Sequence, residues 1–315
     1  MSFVVMAPMK LYPSFKASAT KSVKRKVAKV IATSFVPRVI RPKTSITGTP
    51  PGFFAHSQAY TTSTQILELI DLQIRLHNES EDLTPCDIII VNNDTGDFKA
   101  NRQLMSLDGK PLINGTIKVV QRQNYGRSFG AYNYAFEVYG EKYTHYLFTE
   151  DDIIPHGKGH LEHAIRILRT HESFAFVAYQ GLSSKYICDS IENTTHAHGG
   201  VGMAPYRALK ELYGVNGCLP HAASSESQEY ANIIFEGEVK FTNSFISLGL
   251  CLTTFPPHYK YYVFSYDYQR GKTVGRFCNP LQYKFISTVS LLKRLLNPSR
   301  GFRPDLVLTN TKIGR

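Results

Sequence analysis

The chain has 315 residues, of which 43% are hydrophobic and 12% aromatic, and its 36 Lys and Arg residues outnumber 25 Asp and Glu residues. This length suffices for one large domain or two smaller ones with a sizeable core, and the apolar content excludes general disorder. No stretch approaches the roughly 18 apolar residues of a membrane-spanning helix, and the five cysteines form no Cys-x-x-Cys pair, which argues against a disulfide scaffold or a zinc module. We therefore expect a folded cytoplasmic protein with reduced thiols.

The positive charge is concentrated at the start of the chain. Ten of the 36 basic residues precede Glu68, the first acidic residue, and the remaining 26 face 25 acids. We predict a basic N-terminal arm over residues 1–45, part of which could join the fold. Its segment 16–34 predicts a basic helix that is either solvated or bound to an anionic membrane surface, which would make the protein peripheral on a membrane. Residues 1–6 and 36–46 both qualify as the first strand.

Helical and strand patterns alternate from residue 61 onwards. Apolar positions at helical spacing alternate with short apolar runs of the kind that is buried in parallel sheets. We predict helices over residues 62–78, 130–139, 161–170 and 206–212, and strands over residues 87–91, 117–120, 144–148, 174–179 and 250–255. This alternation predicts an α/β fold that binds its ligands beyond the carboxyl ends of the strands.

Three consecutive carboxylates, Glu150, Asp151 and Asp152, end the strand predicted over residues 144–148. Adjacent like charges resist burial unless a cation or hydrogen bonds compensate them. Hard oxygen ligands in this place suit Mg²⁺ or Mn²⁺ held against a phosphorylated substrate. A solvated acidic turn is the alternative interpretation.

Two other polar segments follow predicted strands. Residues 92–97 form a turn rich in Asn and Asp, and residues 122–133 form a glycine-containing segment that opens a helix. Glycine lets a backbone approach a ligand, and Arg122 and Arg127 can pair with phosphate. Each segment taken alone is also compatible with an ordinary turn before a helix.

Taken in order, these segments resemble the GT-A-fold glycosyltransferases, and in particular the inverting glycosyltransferase family 2. That family has a strand ending in an Asp-rich turn, an Asn-x-Gly segment with Ala and Asn on a helix, and a strand ending in Asp-x-Asp. The counterparts here are residues 91–97, Asn124 and Gly126 with Ala131 and Asn133, and Glu150 to Asp152. The resemblance covers residues 61–255, and its departure is Glu150 in place of the first aspartate.

The resemblance implies a GT-A catalytic domain over residues 46–275, with a Rossmann-like mixed sheet flanked by helices. It implies inverting transfer from a UDP, GDP or dTDP sugar to a hydroxyl of a saccharide or glycolipid, with Mn²⁺ or Mg²⁺ as cofactor. The metal ligands would be Glu150, Asp152 and His258. The donor would contact Asn92, Asn93, Asp97, Arg122, Asn124 and Asp151.

Two downstream segments extend the resemblance. Residues 196–207 resemble the family's glycine-rich acceptor loop, in which His196 and His198 could touch sugar or metal. Residues 237–249 resemble a segment in which an acidic residue opens a helix, which makes Glu238 the catalytic base. The usual acidic neighbour stands at Gly237, and Glu226, Glu229 and Glu236 compete for the role.

Residues 276–315 are expected to form a C-terminal extension. Its segment 286–296 predicts an amphipathic helix that covers the core or lies on a membrane.

Two other function classes remain open. A sugar nucleotidyltransferase could share the strand order and the acidic metal ligands, but it normally has a glycine-rich nucleotide loop near its start, and none is seen here. A non-enzymatic protein whose basic arm binds nucleic acid or anionic lipid would explain the first 67 residues but not the ordered motifs. We therefore expect no nucleic-acid partner.

Overall fold

The computed structural model describes residues 26–34, 63–80, 83–94, 96–179, 182–183, 196–197, 200–222, 235–256, 262–267, 272–277 and 306–308. Its strands are β1 (Val27–Ser34), β2 (Cys86–Asp94), β3 (Ile117–Gln123), β4 (His145–Glu150), β5 (Ile153–His156), β6 (Phe174–Ala178), β7 (Leu182–Ser183), β8 (His196–Ala197), β9 (Gly202–Pro205), β10 (Cys251–Thr254), β11 (Tyr262–Asp267), β12 (Lys272–Phe277) and β13 (Leu306–Leu308). Its helices are α1 (Ser63–Glu79), α2 (Phe98–Met105), α3 (Arg127–Tyr139), α4 (His160–Thr170), α5 (Tyr206–Asn216) and α6 (Lys240–Ser247). A 3₁₀ turn (Gly140–Lys142) follows α3, and a π-helical turn (Phe235–Val239) leads into α6.

A seven-stranded sheet in the order β10-β6-β9-β4-β1-β2-β3 organises the described chain. β9 is antiparallel to both of its neighbours, and the other neighbouring pairs are parallel. The predicted α/β class, a mixed sheet flanked by helices, is confirmed. The predicted helices and strands from residue 62 to residue 255 recur as α1, α3, α4, α5, β2, β3, β4, β6 and β10.

The interior strand β1 comes from the segment that was predicted as a basic helix. That prediction is wrong for residues 27–34, which pair in parallel with both β2 and β4. Val27, Ala28, Val30 and Ile31 are fully buried, and a short apolar run of this kind cannot be assigned to helix or strand from its periodicity alone. The two segments considered for the first strand, 1–6 and 36–46, lie outside the described residues.

Lys29 places an ammonium group inside the fold on β1. Its side chain is 2% exposed, and burial lowers the pKa of Lys29 to about 8, against a smaller opposing effect of Cys86. Burial and the charge of Lys29 together lower the pKa of His77 on α1 to about 4. The layer between α1 and the sheet is therefore an unfavourable place for positive charge.

The opposite face of the sheet carries an aromatic core. The rings of Tyr132, Phe148, Phe176, Phe241 and Phe245 are all fully buried. Tyr132 lies 4.8 Å from Phe148 and 6.4 Å from Phe241 between ring centroids. This core packs α3 and α6 against the centre of the sheet.

A second sheet, in the order β13-β12-β11-β5, begins directly after the acidic triplet, since β5 starts at Ile153. β12 runs past position 275, and β13 pairs with it in parallel. The sheet therefore includes residues of the segment 276–315 that was expected to be a C-terminal extension, and the domain boundary at 275 stays a prediction. The amphipathic helix predicted over residues 286–296 lies outside the described residues. Among the helices that the structure describes, none is long and apolar enough to cross a membrane.

Replacing Lys29 with methionine should stabilise the fold at neutral pH. The unfolded chain binds this proton below pH 10.5 and the folded chain only below about 8, so stability is lost as the pH falls through that window. A shift of this size corresponds to about 3 kcal/mol, and Lys29→Met should raise the free energy of urea unfolding at pH 7 by up to about that amount. The gain should shrink as the pH rises from 8 towards 10.5.

The matched control is Lys110→Met, because Lys110 is exposed and its replacement should change stability by less than about 0.5 kcal/mol. A Lys29→Met variant no more stable than the wild type at pH 7 would contradict the prediction.

Candidate active site

The polar residues predicted from the sequence meet at one edge of the sheet. β1 pairs Thr33 with Asn92 and Ala32 with Glu150, and β2 pairs Asn93 with Arg122. Because these four strands are parallel, their carboxyl ends lie side by side. The structure thus brings together Asn92, Asn93, Arg122 and the acidic triplet, which we call the carboxyl edge.

The three acidic residues of the triplet differ in their surroundings. Asp151 is fully buried, and its Oδ2 accepts a hydrogen bond from Thr33 Oγ1 at 2.9 Å. Glu150 is partly exposed and accepts a bond from Ser128 Oγ at 2.5 Å, while Asp152 is also partly exposed. Asp151 is therefore not part of a solvated turn, because its hydrogen bond with Thr33 anchors it to β1.

Gln73 on α1 holds the backbone of this turn by hydrogen bonds. Its Nε2 donates to the main-chain carbonyl oxygens of Glu150 and Asp151 at 2.7 and 3.1 Å. The Asp151 amide also donates to the carbonyl of Ala32 at 3.0 Å. The backbone that presents the carboxylates is therefore fixed by neighbouring elements.

The two asparagines at the end of β2 make different contacts. Asn92 is fully buried, and its Nδ2 donates to Asn101 Oδ1 at 2.7 Å. Within the described residues its Oδ1 accepts no hydrogen bond. Asn93 uses both ends of its amide, since Oδ1 accepts from Arg122 Nη1 at 2.8 Å and Nδ2 donates to the Arg127 carbonyl at 3.3 Å.

Asp97 lies at the start of α2 as its N-cap. Its Oδ1 accepts from the Ala100 amide at 3.0 Å and its Oδ2 from Ser63 Oγ at 2.5 Å. The hydrogen bonds from Ala100 and then Ser63 lower the pKa of the Asp97 carboxyl. The capping position explains these contacts, and a contact between Asp97 and a donor stays a prediction.

Asp94 holds together the turn predicted over residues 92–97, although it was not among the predicted site residues. Its Oδ1 accepts from the Gly96 amide at 2.9 Å and Asn101 Nδ2 at 2.8 Å, and its Oδ2 accepts from Gln121 Nε2 at 2.7 Å. An aspartate two residues before a glycine is a signal for such a turn.

Arg122 lies on β3 opposite Asn93 of β2, and Asn124 follows the end of β3. The Arg122 guanidinium lies over the rings of Tyr125 and Tyr134, 5.8 and 5.9 Å from their centroids. Burial lowers the pKa of Arg122, and the nearby tyrosines and Glu137 oppose this effect. Asn124 Oδ1 is buried and accepts no hydrogen bond from the residues described.

The start of α3 is conformationally strained. Gly126 and Arg127 have φ of 65° and 49°, and Arg127 is the one non-glycine residue with positive φ in the described chain. Such strain, typically about 1–3 kcal/mol, clusters at functional sites. The strained turn brings the N-terminus of α3 to the carboxyl edge, where a helix N-terminus favours anionic ligands.

Glu238 lies in the π-helical turn before α6 and is 13% exposed. Its Oε1 is 3.7 Å from Nε2 of His196, which is 3% exposed. Thr242 Oγ1 accepts from the Ala197 amide and donates to the Glu238 carbonyl, both at 3.2 Å. The structure places His196 beside Glu238, and a contact between His196 and sugar or metal stays a prediction.

Packing explains why a glycine stands at position 237. A Cβ atom at this position would lie 2.5 Å from the Phe129 ring on α3. An acidic residue, which the resembling family has here, is therefore excluded by the packing of Phe129.

Tyr132, a buried residue of α3, lies within the electrostatic field of both the triplet and Glu238 and was not predicted from the sequence. Its side chain is fully buried, and its hydroxyl has no hydrogen-bond partner within the described part of the chain. Burial raises the pKa of Tyr132 well above its usual value, and four negative charges raise it further, in the order Glu150, Asp152, Asp151 and Glu238. Ionisation of this hydroxyl is therefore disfavoured both by burial and by the surrounding carboxylates.

The remaining candidates are only partly described. Glu236 forms an ion pair with Lys240 at 2.8 Å, while Glu226, Glu229, His198 and His258 lie outside the described residues. No three His, Cys, Asp or Glu side chains among the described residues form a group that could hold a metal. The predicted set with His258 is not tested by that finding.

Comparisons with known proteins give only distant similarity. No family model and no curated protein matches the chain. The apo form of the glycosyltransferase GlyE from Streptococcus pneumoniae TIGR4 is similar at 8% identity and a TM-score of 0.29, over 92% of this chain and 55% of that chain. A second GlyE structure gives 10% identity and a TM-score of 0.32, over 91% and 55%. The chain thus spans about half the length of these proteins, and similarity at this level establishes neither family nor activity.

Replacing Tyr132 with phenylalanine should leave the fold as stable as the wild type or stabilise it by about 1 kcal/mol, because it removes a buried hydroxyl without a partner. The matched control is Tyr146→Phe, since the hydroxyl of the buried Tyr146 donates to the Gly140 carbonyl at 2.6 Å. Loss of that bond should destabilise the fold by about 1 kcal/mol. Urea unfolding measures the stability of both variants. An equal loss of unfolding free energy in the two would show that the Tyr132 hydroxyl does have a hydrogen-bond partner.

Proposed function

We propose that this protein is a metal-dependent glycosyltransferase that moves a sugar from a nucleotide diphosphate sugar to a hydroxyl of a saccharide or glycolipid, with inversion. The observation that carries the proposal is the meeting of the acidic triplet, two asparagines and the α3 N-terminus at the carboxyl edge. Parallel sheets bind ligands at this edge.

The donor nucleotide, UDP, GDP or dTDP, would lie over Asn92 and Asn93, with Asp97 beside them. The support comes from Asn92 Oδ1, a buried acceptor with no partner in the described chain. A buried polar atom left unpaired costs about 1–3 kcal/mol, and an N–H or hydroxyl group of the donor would supply the missing bond.

Arg122 and Asn124 would contact the phosphates or the donor's sugar. The guanidinium is held by Asn93, and Asn124 Oδ1 lacks a partner in the described residues. The N-terminus of α3 and the exposed Arg127 add positive potential on the same side. Asp151 would act mainly by anchoring the turn, because Thr33 already occupies one of its oxygens.

The oxygen donors of the triplet fit Mg²⁺ or Mn²⁺. Glu150 and Asp152 are the partly exposed members, and such ions are held by one or two carboxylates together with substrate phosphates. His258 is proposed as a further ligand. A bound ion would neutralise the charge that develops on the departing diphosphate.

Glu238 would accept the proton of the acceptor hydroxyl as that hydroxyl attacks the anomeric carbon, opposite the departing diphosphate. General-base catalysis requires hydrogen-bond reach to the hydroxyl. His196, 3.7 Å away and nearly buried, would hold the carboxylate in place.

A sugar nucleotidyltransferase remains the second enzymatic candidate, since its acidic edge would bind the same nucleotides. Exchange of labelled pyrophosphate into a nucleoside triphosphate would identify it, whereas a glycosyltransferase gives none.

A separate proposal concerns the basic residues before position 26. They would contact an anionic membrane surface from the cytoplasmic side, and no nucleic-acid partner is proposed.

Asp152→Asn should abolish the Mn²⁺ dependence of nucleotide binding, because the amide oxygen is a much weaker ligand for a hard cation. Isothermal titration of UDP, GDP and dTDP with and without Mn²⁺ measures this, and the affinity with metal should fall at least about tenfold. The control is Asp71→Asn, an exposed carboxylate of α1 paired with Arg75. Unchanged metal-dependent affinity in Asp152→Asn would remove this residue from the metal site.

Glu238→Gln should lower kcat by about 10²- to 10⁴-fold, because the amide keeps the shape but cannot take a proton. Nucleotide affinity should persist. Steady-state transfer kinetics measure the loss, with Glu226→Gln, Glu229→Gln and Glu236→Gln as controls. If Glu238→Gln keeps more than about a tenth of the turnover while one control collapses, the base is that control.

A further inference from the structure

A pocket of about 350 Å³ opens beside the carboxyl edge and is distinct from the acidic triplet. Arg122 and Tyr125 line it from the end of β3, Tyr134 and Glu137 line it from α3, and His221 lines it from the segment after α5. Pockets that bind small ligands begin at about 300 Å³. The space therefore suits one or two small rings.

Arg122 is held rigidly in this pocket. Its Nη1 donates to Asn93, and its guanidinium is stacked over Tyr125 and Tyr134. In the described part of the chain, its other N–H groups donate no hydrogen bond. Arg122 thus offers oriented donors to a ligand without a large loss of side-chain entropy.

Glu137 provides the complementary acceptor. Its Oε1 accepts from Asn133 Nδ2 at 2.9 Å and from the Tyr213 hydroxyl at 3.3 Å, which fixes the carboxylate between α3 and α5. No described residue donates to its Oε2. The pocket therefore carries one fixed positive group and one fixed negative group.

Tyr125 gives the pocket a flat apolar wall. It is 43% exposed, and its ring meets His221 edge-on at 5.3 Å between centroids. An anion in the pocket would face Glu137, and a cation would face Arg122. A neutral polyhydroxylated ring avoids both repulsions, because each hydroxyl can donate to Glu137 or accept from Arg122.

We infer that this pocket binds a neutral saccharide ring and forms the acceptor subsite, with the ring against Tyr125 and its hydroxyls between Arg122 and Glu137. The acceptor role of this pocket rests on the proposed glycosyl transfer, whereas its binding of a saccharide does not. Arg122 joins the pocket to Asn93 of the carboxyl edge, and its five N–H groups would be shared between the donor and this sugar, so a sugar bound here lies next to the proposed donor site.

Saturation-transfer NMR on the full chain tests saccharide binding without an activity assay. The probes are the methyl glycosides of glucose, galactose, mannose and N-acetylglucosamine. At least one should bind the wild type, and Tyr125→Ala should weaken it about tenfold. Tyr125→Phe keeps the ring and should retain the affinity, Glu137→Gln should weaken it, and Val138→Ala, an exposed neighbour on α3, serves as the surface control.

The inference is overturned if no glycoside binds, if Tyr125→Ala binds as well as the wild type, or if Tyr125→Phe loses as much affinity as Tyr125→Ala. It is also overturned if free serine, a zwitterion matched to Arg122 and Glu137, displaces the glycoside at equal concentration. Titration of UDP with Mn²⁺ on the same samples separates the two proposals. Glycoside binding without nucleotide binding keeps the subsite and removes the transfer reaction, and the reverse result removes only the subsite.

Discussion

The parallel pairing of β1 with β2 and β4 is the interaction on which the candidate site depends. It places Thr33 beside Asn92 on one side and Ala32 beside Glu150 on the other, and it brings the Thr33 hydroxyl to Asp151. Because side chains alternate along a strand, a slip of one residue would turn Thr33 away from Asp151. The register of β1 therefore decides both how the triplet is anchored and which residues share the carboxyl edge.

Helix α3 contacts both the acidic edge and the turn that carries Glu238. Its first turn carries Ser128, which bonds Glu150, and Phe129, whose ring occupies the space of a side chain at Gly237. One turn later Tyr132 lies within the field of the triplet and Glu238. The position of Glu238 relative to the acidic edge is thus set by aromatic packing, which tolerates changes of shape poorly.

The sequence predicted the site best where polar side chains directly follow an apolar strand pattern. Three adjacent carboxylates after an apolar run, and asparagines after a continuous apolar strand, predicted a shared edge, and the parallel pairing of β1 to β4 does bring these strand ends side by side. The sequence failed at β1, where Lys29 interrupts a short apolar run and made a buried strand resemble a basic helix. It also failed at Gly202–Pro205, which resembled a loop but forms the central antiparallel strand β9. Its glycine is needed there because a Cβ at Gly202 would lie 2.1 Å from the Phe176 ring, a tertiary constraint that no local pattern reveals.

Several unfavourable features of the described chain lie in the carboxyl edge and in the helices α1 and α3 beside it, while Asn243 Nδ2 on α6 is a further unpartnered group. Arg127 has a left-handed φ, and Gln73 Oε1, Asn92 Oδ1, Asn124 Oδ1 and the Tyr132 hydroxyl are buried without partners in the described residues. Most buried polar groups in proteins are hydrogen-bonded, and each exception requires a reason. A fold selected only for stability would remove such groups, whereas a binding site retains them because a ligand completes their hydrogen bonds. The argument for a polar ligand at this edge therefore stands on packing and hydrogen bonding, independently of any family resemblance.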